Sequence, residues 1–537
     1  MPSWRSTGKA PQSNAGTARV DFPYADPDPG FRYAHAYQKW RRVPWPFTTS
    51  PEMNGRVTVP RAGCLRGRRF RVGTRSSMKE KSVSEARSSD YDAIVIGGGP
   101  SGSSYAMTLA RKGHSVLLLE REEMPRFHIG ESLLTYTTDV LEQMGLLDRV
   151  AEGGFVVKRG IELTGTEGTF RRLDLGKVGE GRRGWTFHVE RAHFDKILLD
   201  AAAETPGVTM LQKARVRKLL FAGERISGVR YTRDGEEHDA TASFVIDASG
   251  RTGVIARGMG LRKTDDDLKM AAIFRHYEGL DERNNPATEG DIQLGLYEDG
   301  WFWAIPIRPG VISVGCLVPA EILRKSVPEE VFSRNLKRIP RISQRIEGTT
   351  VARDLTGENN FEYHCDTLAG PGYFIVGDAG CFTDPVFSGG VLLALTTGRR
   401  AAEESARVLA GEADEGEVAL RYQNFFKTGY ETYYRLIRAV YDNRYVSEGR
   451  ELRVTPRHGG QRLAGAGWWG IQERLQATSG GPFDTSESIE HFWLVRALNG
   501  DFWSGDNRFF QRLREEKAWR LFDDFEPSYE CPVHPGS

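Results

Sequence analysis

The chain has 537 residues, enough for two or three domains with large hydrophobic cores. Its 73 Lys and Arg nearly balance its 72 Asp and Glu, so the overall charge gives no reason to expect a nucleic-acid partner. No apolar run approaches the roughly 20 residues of a membrane-spanning helix, and the five scattered cysteines form no C-x-x-C pair. We therefore expect a cytoplasmic protein with reduced thiols, no metal site and no membrane partner.

The N-terminal segment differs in charge from the rest of the chain. Residues 1–77 contain 14 Lys and Arg against 4 Asp and Glu, mixed with Pro, Gly and Ser and without a sustained period of 2 or 3.6. Such a segment buries too little apolar surface to offset its ordering entropy, so we expect residues 1–88 to form a disordered basic extension. An arginine-rich leader is also typical of targeting or nucleic-acid-binding segments. Alternatively, the native protein starts at Met78 and the preceding residues belong to an over-extended reading frame.

The strongest signal is a strand, a glycine-rich turn and a helix in direct succession. Residues 93–96 are apolar and partly β-branched, as in a strand buried on both faces, and a helical pattern begins at Ser101. Between them, Gly97, Gly99 and Gly102 keep the G-x-G-x-x-G spacing. The first glycine permits the tight turn, the second the approach of a pyrophosphate, and the third the packing of helix on strand. Amide groups at the helix start would then face the phosphates.

A second predicted strand supports a nucleotide site. Residues 115–119 are mostly apolar and end in Glu120, which lies 18 residues after Gly102. A carboxylate at this point would accept hydrogen bonds from the ribose hydroxyls of an adenosine. The alternative is a glycine-rich turn in an unrelated α/β unit.

Two kinds of sheet are predicted further along the chain. A strand over residues 155–163 and a helix that opens near Arg191 continue the α/β pattern. Strand-like runs joined by tight turns predict an antiparallel sheet over about residues 265–350, and such an insertion usually covers the ligand. We predict a catalytic domain over residues 89–405 and a mostly helical C-terminal region over residues 406–537.

An acidic residue follows another buried strand near the end of the catalytic domain. Residues 373–377 predict the strand, Asp378 comes next, and a long helix runs over about residues 390–409. Asp378 could hold the ribityl hydroxyls of a flavin, and the helix dipole would favour negative charge on a reduced flavin ring. Together with the glycine-rich turn and Glu120, this arrangement favours FAD over NAD. We place Arg191 among the cofactor-binding residues.

This arrangement resembles the FAD-dependent aromatic monooxygenases of the hydroxybenzoate-hydroxylase type, and three stretches narrow the resemblance to flavin-dependent halogenases. Residues 301–306 read W-F-W-A-I-P, which is similar to the W-x-W-x-I-P signature of those enzymes. Residues 127–134 resemble the segment after their second strand, and residues 377–390 resemble their flavin and halide loop. By period alone, the first stretch would be an ordinary buried strand. The resemblance covers most of residues 91–400 and implies an α/β, Rossmann-like FAD-binding fold.

The resemblance also implies a chemistry. In the halogenases, reduced FAD and O2 oxidise a halide to hypohalous acid, which travels through a tunnel to a lysine beside the substrate. The matching position here is Lys158, which would otherwise be one of many solvated lysines. The matching loop places Ser388 among the catalytic residues and the N–H groups of Gly389 and Gly390 at the halide and the flavin. Phe387 occupies the position where tryptophan halogenases have a glutamate. Phenol and pyrrole halogenases have an aromatic residue there, as this chain does.

The sequence therefore predicts an FADH2-dependent halogenase of secondary metabolism. It would chlorinate or brominate a phenolic or pyrrolic substrate, either free or tethered to an acyl or peptidyl carrier protein, and a separate flavin reductase would supply FADH2. Two alternatives stay open: a flavin monooxygenase or reductase of the same superfamily that binds NAD(P)H directly, and a non-catalytic flavin-binding or carrier-docking protein. The chain has no second dinucleotide fingerprint, but hydroxylases of this fold lack one too, so its absence does not discriminate.

Overall fold

A computed structural model of the protein describes residues 89–168, 170–177, 183–281, 289–297 and 300–444. The predicted N-terminal extension 1–88, and the part of the predicted helical region beyond residue 444, lie outside the described residues.

The strands are numbered here in chain order. They are β1 (Tyr91–Ile96), β2 (Val116–Leu119), β3 (Val156–Lys158), β4 (Gly160–Thr164), β5 (Phe170–Asp174), β6 (Thr186–His188), β7 (Val208–Leu211), β8 (Arg215–Ala222), β9 (Arg225–Arg233), β10 (Glu236–Asp247), β11 (Arg262–Glu278), β12 (Ile292–Tyr297), β13 (Gly300–Arg308), β14 (Val311–Pro319), β15 (Thr350–Cys365), β16 (Ala369–Gly370) and β17 (Tyr373–Ile375).

The helices are numbered in the same way. They are α1 (Pro100–Ala110), α2 (Thr135–Gln143), α3 (Leu147–Ala151), α4 (Arg191–Ala203), α5 (Val254–Gly258), α6 (Ala320–Lys325), α7 (Pro328–Leu336), α8 (Pro340–Arg345), α9 (Gly390–Leu409) and α10 (Glu415–Arg444). No helix in the described part of the chain is long and apolar enough to cross a membrane.

The first sheet supports the glycine-rich turn. Its strands are ordered β16-β17-β10-β1-β2-β7, and all of these neighbours pair in parallel except β16 and β17. β9 continues the sheet from β10 and pairs with β8, both antiparallel. β1 is central, so its residues 93–96 are buried, as the apolar run predicts. Because parallel strands place their carboxyl ends at one edge, the turns after β1, β2, β10 and β17 meet there.

Helix α1 packs closely on the turn before it and on helix α9. A Cβ atom at Gly102 would lie 1.9 Å from the carbonyl oxygen of Gly97, and one at Gly398 would lie 2.2 Å from that of Ser101. The Tyr105 hydroxyl donates to Ser405 Oγ at 2.8 Å. Only glycine leaves room for such close backbone approaches, which explains the third glycine of the turn.

The second sheet is mostly antiparallel, with the order β15-β11-β14-β13-β12-β4-β5, and β4 pairs in parallel with β12. Of the antiparallel sheet predicted over about residues 265–350, strands β11 to β14 are present, whereas most of residues 320–345 form helices α6 to α8 and not strands. The sheet also takes strands from residues 160–174 and 350–365. Along β13, Phe302 packs on Phe332 of helix α7, with ring centroids 5.5 Å apart. Because successive side chains on a strand alternate, the neighbouring tryptophans point to the opposite face of the sheet.

The single strand predicted over residues 155–163 is divided in the structure. β3 ends at Lys158 and pairs with β6 in a small two-stranded sheet, whereas β4 begins at Gly160 and joins the second sheet. A Cβ atom at Gly160 would lie 2.5 Å from the guanidinium of Arg172 and 2.6 Å from the carboxylate of Asp291. This crowding is a tertiary contact that hydrophobic periodicity does not report. The predicted helix over about residues 390–409, by contrast, is confirmed as α9.

Candidate active site

One large cavity joins the ends of the two sheets. It has a volume of about 1480 Å³, which exceeds the roughly 300–1,000 Å³ of a pocket for one drug-sized ligand. Ile96 and Leu119, at the ends of β1 and β2, line one end, and Trp301 and Trp303 of β13 line another part of the wall. The cavity therefore has room for a dinucleotide together with a second molecule.

The glycines of the turn have separate tasks. Gly97 has φ +108°, and a Cβ atom there would lie 2.4 Å from the carbonyl oxygen of Ala248, so this position requires glycine for the fold. A Cβ atom at Gly99 would meet only the Arg126 guanidinium, at 3.5 Å, and Gly99 lines the cavity together with Ser101. Gly99 therefore keeps the cavity surface clear, as expected where a pyrophosphate approaches the main chain.

Glu120 follows β2, lines the cavity and is 3% exposed. Its Oε2 accepts a hydrogen bond from the amide of Gly98 at 2.7 Å, and its Oε1 accepts one from the amide of Glu122 at 2.9 Å. Each carboxylate oxygen has a second acceptor position. The main chain thus orients Glu120 and leaves it able to accept hydrogen bonds from ribose hydroxyls.

Asp378 lies in a short turn after β17 and lines the cavity. Burial raises the pKa of its carboxyl to about 6, although the positive charges of Arg191 and Arg251 act in the opposite direction. The Tyr363 hydroxyl donates to the main-chain carbonyl of Asp378 at 2.6 Å and holds the turn in place. At neutral pH, Asp378 is therefore an ionised acceptor in the cavity wall.

Arg191 is the first residue of helix α4 and is buried at the cavity wall. Its Nε and Nη2 donate to the carboxylate of Asp195 at 2.8 and 3.0 Å. Its Nη1 donates to the carbonyl oxygens of Ile129 and Gly130 at 2.9 and 3.3 Å. The guanidinium therefore anchors the loop over residues 127–134 at the edge of the cavity.

An aromatic wall is formed by β13. Trp301, Trp303 and Ile305 all line the cavity, so the face predicted from the period of 2 is both buried and open to the cavity. The two indole rings have centroids 5.7 Å apart, and Trp303 Nε1 donates to Ser313 Oγ at 3.2 Å. Indole and aliphatic surfaces of this kind suit a flat apolar ring.

The loop before helix α9 also reaches the cavity, through Phe387 and Ser388. Ser388 has φ +56°, a left-handed conformation that is uncommon for a residue with a side chain, and its amide donates to the carbonyl of Pro385 at 2.8 Å. Asp384 Oδ1 accepts from the amide of Val386 at 2.9 Å and closes the turn. Strained backbone of this kind often marks a functional position.

Helix α9 begins at this loop, with Gly389 as the residue that precedes it and Gly390 as its first residue. A Cβ atom at Gly390 would meet nothing within 4 Å, whereas one at Gly389 would lie 3.0 Å from the ring of Tyr433. Both glycines line the cavity. The start of α9 is thus an accessible helix N-terminus, where amide groups and the helix dipole favour an anion.

Lys158 lies behind the cavity wall. It is 2% exposed, and its Nζ donates to Ser132 Oγ at 2.8 Å and to the carbonyl of Leu133 at 3.0 Å. Burial lowers the pKa of the Lys158 amine to about 7, against the opposing effect of the Asp291 charge. Ser132 itself lines the cavity. Lys158 is therefore an amine that is partly neutral at pH 7 and one hydrogen bond away from the cavity.

A buried histidine lies beside Lys158. In the pairing of β3 with β6, Lys158 is opposite Thr186 and Val156 is opposite His188, so Lys158 and His188 share one face of the small sheet. His188 is fully buried, and neither of its ring nitrogens has a hydrogen-bond partner in the described part of the chain. Burial, with the nearby charges of Lys158 and Arg345, holds the pKa of the imidazole well below its usual range. His188 is therefore neutral.

Most residues predicted for the site come together in space. Nine of them line the one cavity: Gly97, Gly99, Ser101, Glu120, Arg191, Asp378, Ser388, Gly389 and Gly390. Gly102 lies under the turn, where α1 packs on Gly97, and Lys158 lies behind Ser132. The sequence reasoning did not single out Ser132 or His188. The signal for Ser132 was its place in the stretch 127–134, whereas nothing in the sequence pointed to His188.

The residues at the sheet end of the cavity fit FAD. The clear surface at Gly99 suits the pyrophosphate, the oriented carboxylate of Glu120 suits the ribose, and Asp378 suits a ribityl chain. These groups are carried by three turns at the same edge of the first sheet.

Comparison with known families matches residues 90–423 to FAD_binding_3, described as an FAD binding domain. A tryptophan 2-halogenase from Chondromyces crocatus is 33% identical over 359 residues, which cover 65% of this chain and 67% of the relative. A 1H-pyrrole-2-carbonyl-(peptidyl-carrier protein) brominase from Pseudoalteromonas luteoviolacea is 30% identical over 326 residues, which cover 60% of this chain and 78% of the relative.

Solved structures agree with this assignment. The myxobacterial chondrochloren halogenase CndH, a variant of the FAD-dependent halogenases, is 30% identical, with a TM-score of 0.63 over 76% of this chain and 97% of that structure. The FAD-binding domain match covers more than half of the chain, and the relatives share one type of chemistry. The chain therefore belongs to the flavin-dependent halogenases, FADH2-dependent oxidoreductases that bind FAD and use a halide.

Proposed function

We propose that this enzyme halogenates a phenolic or pyrrolic ring, either free or tethered to a carrier protein, with chloride or bromide as the halide. The observation that carries the proposal is the continuous cavity, which runs from the FAD-binding turns to the tryptophan wall, with Lys158 behind it. One region thus holds a cofactor site, a helix N-terminus suited to an anion, an apolar surface and a buried amine.

The wall of the cavity supports an electron-rich substrate. Phe387 presents an aromatic side chain next to Ser388, where a carboxylate could have helped remove a proton from the ring. A phenol or a pyrrole supplies electron density from its own oxygen or nitrogen and needs less of such help. The named relatives act on tryptophan and on carrier-bound pyrrole, so a carrier-tethered substrate is included in the proposal.

Each group has a role in this proposal. The turn at Gly97 and Gly99 and the start of α1 bind the pyrophosphate, while Glu120 and Asp378 accept hydrogen bonds from hydroxyl groups of the cofactor. FAD, when bound in its reduced form, supplies the electrons for the reaction with O2, and a separate flavin reductase provides it in that form. The amides of Gly389 and Gly390 hold the halide. Lys158 takes up the oxidised halogen and presents it to the ring.

The experiment combines the purified enzyme with a flavin reductase, NAD(P)H, FAD, O2 and either NaCl or NaBr. A panel of phenols, pyrroles bound to a carrier protein, and free tryptophan is supplied, and products are identified by mass spectrometry. We expect halogen isotope patterns in phenolic or pyrrolic products. Products that contain 18-O from labelled O2 and no halogen would instead identify a hydroxylase, and halogenated tryptophan alone would contradict the substrate class.

A further inference from the structure

The cavity and the buried amine meet at one side chain. Ser132 lines the cavity with 6% of its surface exposed, whereas Lys158 is 2% exposed and is not among the described residues that line it. The Nζ of Lys158 and the Oγ of Ser132 are 2.8 Å apart. Any small molecule that travels from the cavity to the amine therefore passes Ser132.

The number of hydrogen-bond acceptors around Lys158 indicates its protonation state. A neutral amine has two N–H groups and one lone pair, whereas an ammonium has three N–H groups and no lone pair. The described residues offer two acceptors to Nζ, Ser132 Oγ at 2.8 Å and the carbonyl of Leu133 at 3.0 Å. An ammonium would keep one buried N–H without an acceptor, which is unfavourable. The surroundings therefore match the neutral amine and leave its lone pair free.

The charged groups around Lys158 do not reverse the preference of this site for the neutral amine. Asp291 is the anion whose charge raises the pKa of Lys158, but its carboxylate is bound by Arg172, with Nη2 donating to Oδ1 at 3.2 Å and Nε donating to Oδ2. His188 is neutral, because burial holds the pKa of its imidazole well below the usual range. Arg345 adds a positive charge near His188. Lys158 thus faces one anion, already paired, and a neutral imidazole.

We propose that Ser132 is a positioning residue, whose hydroxyl, together with the Leu133 carbonyl, orients the Lys158 amine so that its lone pair is available to an electrophilic halogen. This inference rests on the proposed function of Lys158. In the step that it prepares, the amine attacks the halogen of hypohalous acid: the N–halogen bond forms, the O–halogen bond breaks, and one amine proton joins the hydroxide to give water. The halogen keeps its oxidation state, so the step needs no further oxidant.

The test measures the protonation of Lys158 without halogenation. The FAD-loaded enzyme is treated with cyanate, a small reagent that adds to neutral amines, at pH values from about 5.5 to 10. The fraction modified at Lys158 is read by mass spectrometry of peptides. Exposed Lys112 serves as the internal reference for reagent activity. The wild type, Ser132→Thr, Ser132→Ala and Ser132→Asp are compared.

We expect the rate at Lys158, divided by the concentration of isocyanic acid (the reactive form of cyanate), to rise with a midpoint near pH 7 in the wild type and in Ser132→Thr, which keeps the hydroxyl. In Ser132→Ala the midpoint moves to lower pH by about one unit, because loss of an acceptor destabilises the ammonium more than the amine. In Ser132→Asp it moves to higher pH, because a carboxylate stabilises the ammonium. A single midpoint in all four proteins, or a wild-type midpoint at the ordinary lysine value, would overturn the inference.

The two proposals can fail separately. Halogenation assays on the same four proteins, with Lys158→Met as the control that lacks the amine, show whether the amine is used. If the cyanate midpoints move as expected but Lys158→Met still halogenates at the wild-type rate, the proposed function of Lys158 fails and the positioning by Ser132 stands. If the midpoints do not move, the positioning fails, whatever the halogenation rates are.

Discussion

The two ends of the cavity are built from different kinds of group. At the FAD end, the surface is main chain: consecutive residues of one turn, shaped by Gly97 and Gly99, meet the carboxylate of Glu120, which is held by two amides. At the other end, the surface is side chain, with Trp303 on one strand and Phe387 on a loop, and Lys158 lies behind it on a small sheet. The glycine-rich turn of the first end is contiguous in sequence, whereas the second end is assembled from distant segments.

This difference separates two kinds of sensitivity. A main-chain site is damaged by an added Cβ atom, which removes space. A side-chain site depends on the protonation of buried groups, so it responds to pH and to the loss of one hydrogen-bond partner. Substitutions at the two ends should therefore have effects that do not overlap: cofactor affinity at one end and product formation at the other.

The largest effect is expected at the side-chain end. Lys158→Met removes the amine but keeps the length of the side chain, and we expect halogenated product to fall by about a thousandfold, within the range for removal of a catalytic group. FAD affinity should not change, because Lys158 is separated from the cavity by Ser132. Product is measured by mass spectrometry and FAD binding by flavin fluorescence.

Lys158→Arg is the matched control for this prediction. It keeps a positive charge, but guanidinium does not deprotonate in proteins, so it should be as inactive as the methionine variant. If Lys158→Met or Lys158→Arg forms product at the wild-type rate, Lys158 has no part in the mechanism. If either variant also loses FAD affinity, the two ends of the cavity are not independent as proposed.

At the main-chain end, Gly99→Val should weaken FAD binding by about 30-fold, the equivalent of about 2 kcal/mol for a misplaced side chain in a filled site. The fold should persist, because a Cβ atom there meets only Arg126 at 3.5 Å. Gly102→Val is the contrasting variant, since its Cβ atom would lie 1.9 Å from the Gly97 carbonyl. Thermal unfolding should show a native-like Gly99→Val and an unstable Gly102→Val; unchanged FAD affinity in Gly99→Val would count against this placement.

A smaller effect is expected where the two ends meet, at the start of α9. Gly390→Pro removes one amide at the first helical position, where proline is tolerated, and a Cβ atom there meets nothing within 4 Å. If that amide holds the halide, the KM for chloride should rise about tenfold, as expected for one hydrogen bond to a charged group. Gly390→Ala keeps the amide and should retain the wild-type KM. Equal KM values in all three proteins would exclude this amide from the halide site.

The smallest effect concerns the stability of the protein without FAD. The carboxyl of Asp378 has a pKa of about 6 in the fold against an ordinary value of 3.8, so the folded state binds the proton more tightly than the unfolded state. Wild-type stability should therefore fall as the pH rises from about 4 to 6, and Asp378→Asn should lack this loss. Above pH 6 we expect a Tm about 1–3 °C higher in the variant, with weaker FAD binding. A Tm difference that is the same at pH 4 and pH 7 would contradict the assignment.

The contrast between the two ends also explains which expectations came from the sequence. The strand–turn–helix around Gly97, the strand before Glu120 and the helix that begins at Gly390 are local, and each is encoded by the spacing of apolar residues and glycines over about ten to twenty positions. The division of the strand after Lys158 was not predicted, because β3 pairs with β6 and β4 pairs with β12, and both partners lie outside the local sequence.

For this protein, the sequence alone determined the glycine-rich turn, the type of cofactor-binding fold and the residues that form the turn and are proposed to bind the cofactor. Backbone conformation and hydrophobic periodicity depend on neighbouring residues, so a local pattern can predict them. Only the tertiary structure decided that Lys158 is buried, that Ser132 stands between it and the cavity, and that neutral His188 lies beside it. Burial and proton affinity arise from groups that are distant in sequence and close in space, so no local pattern carries them.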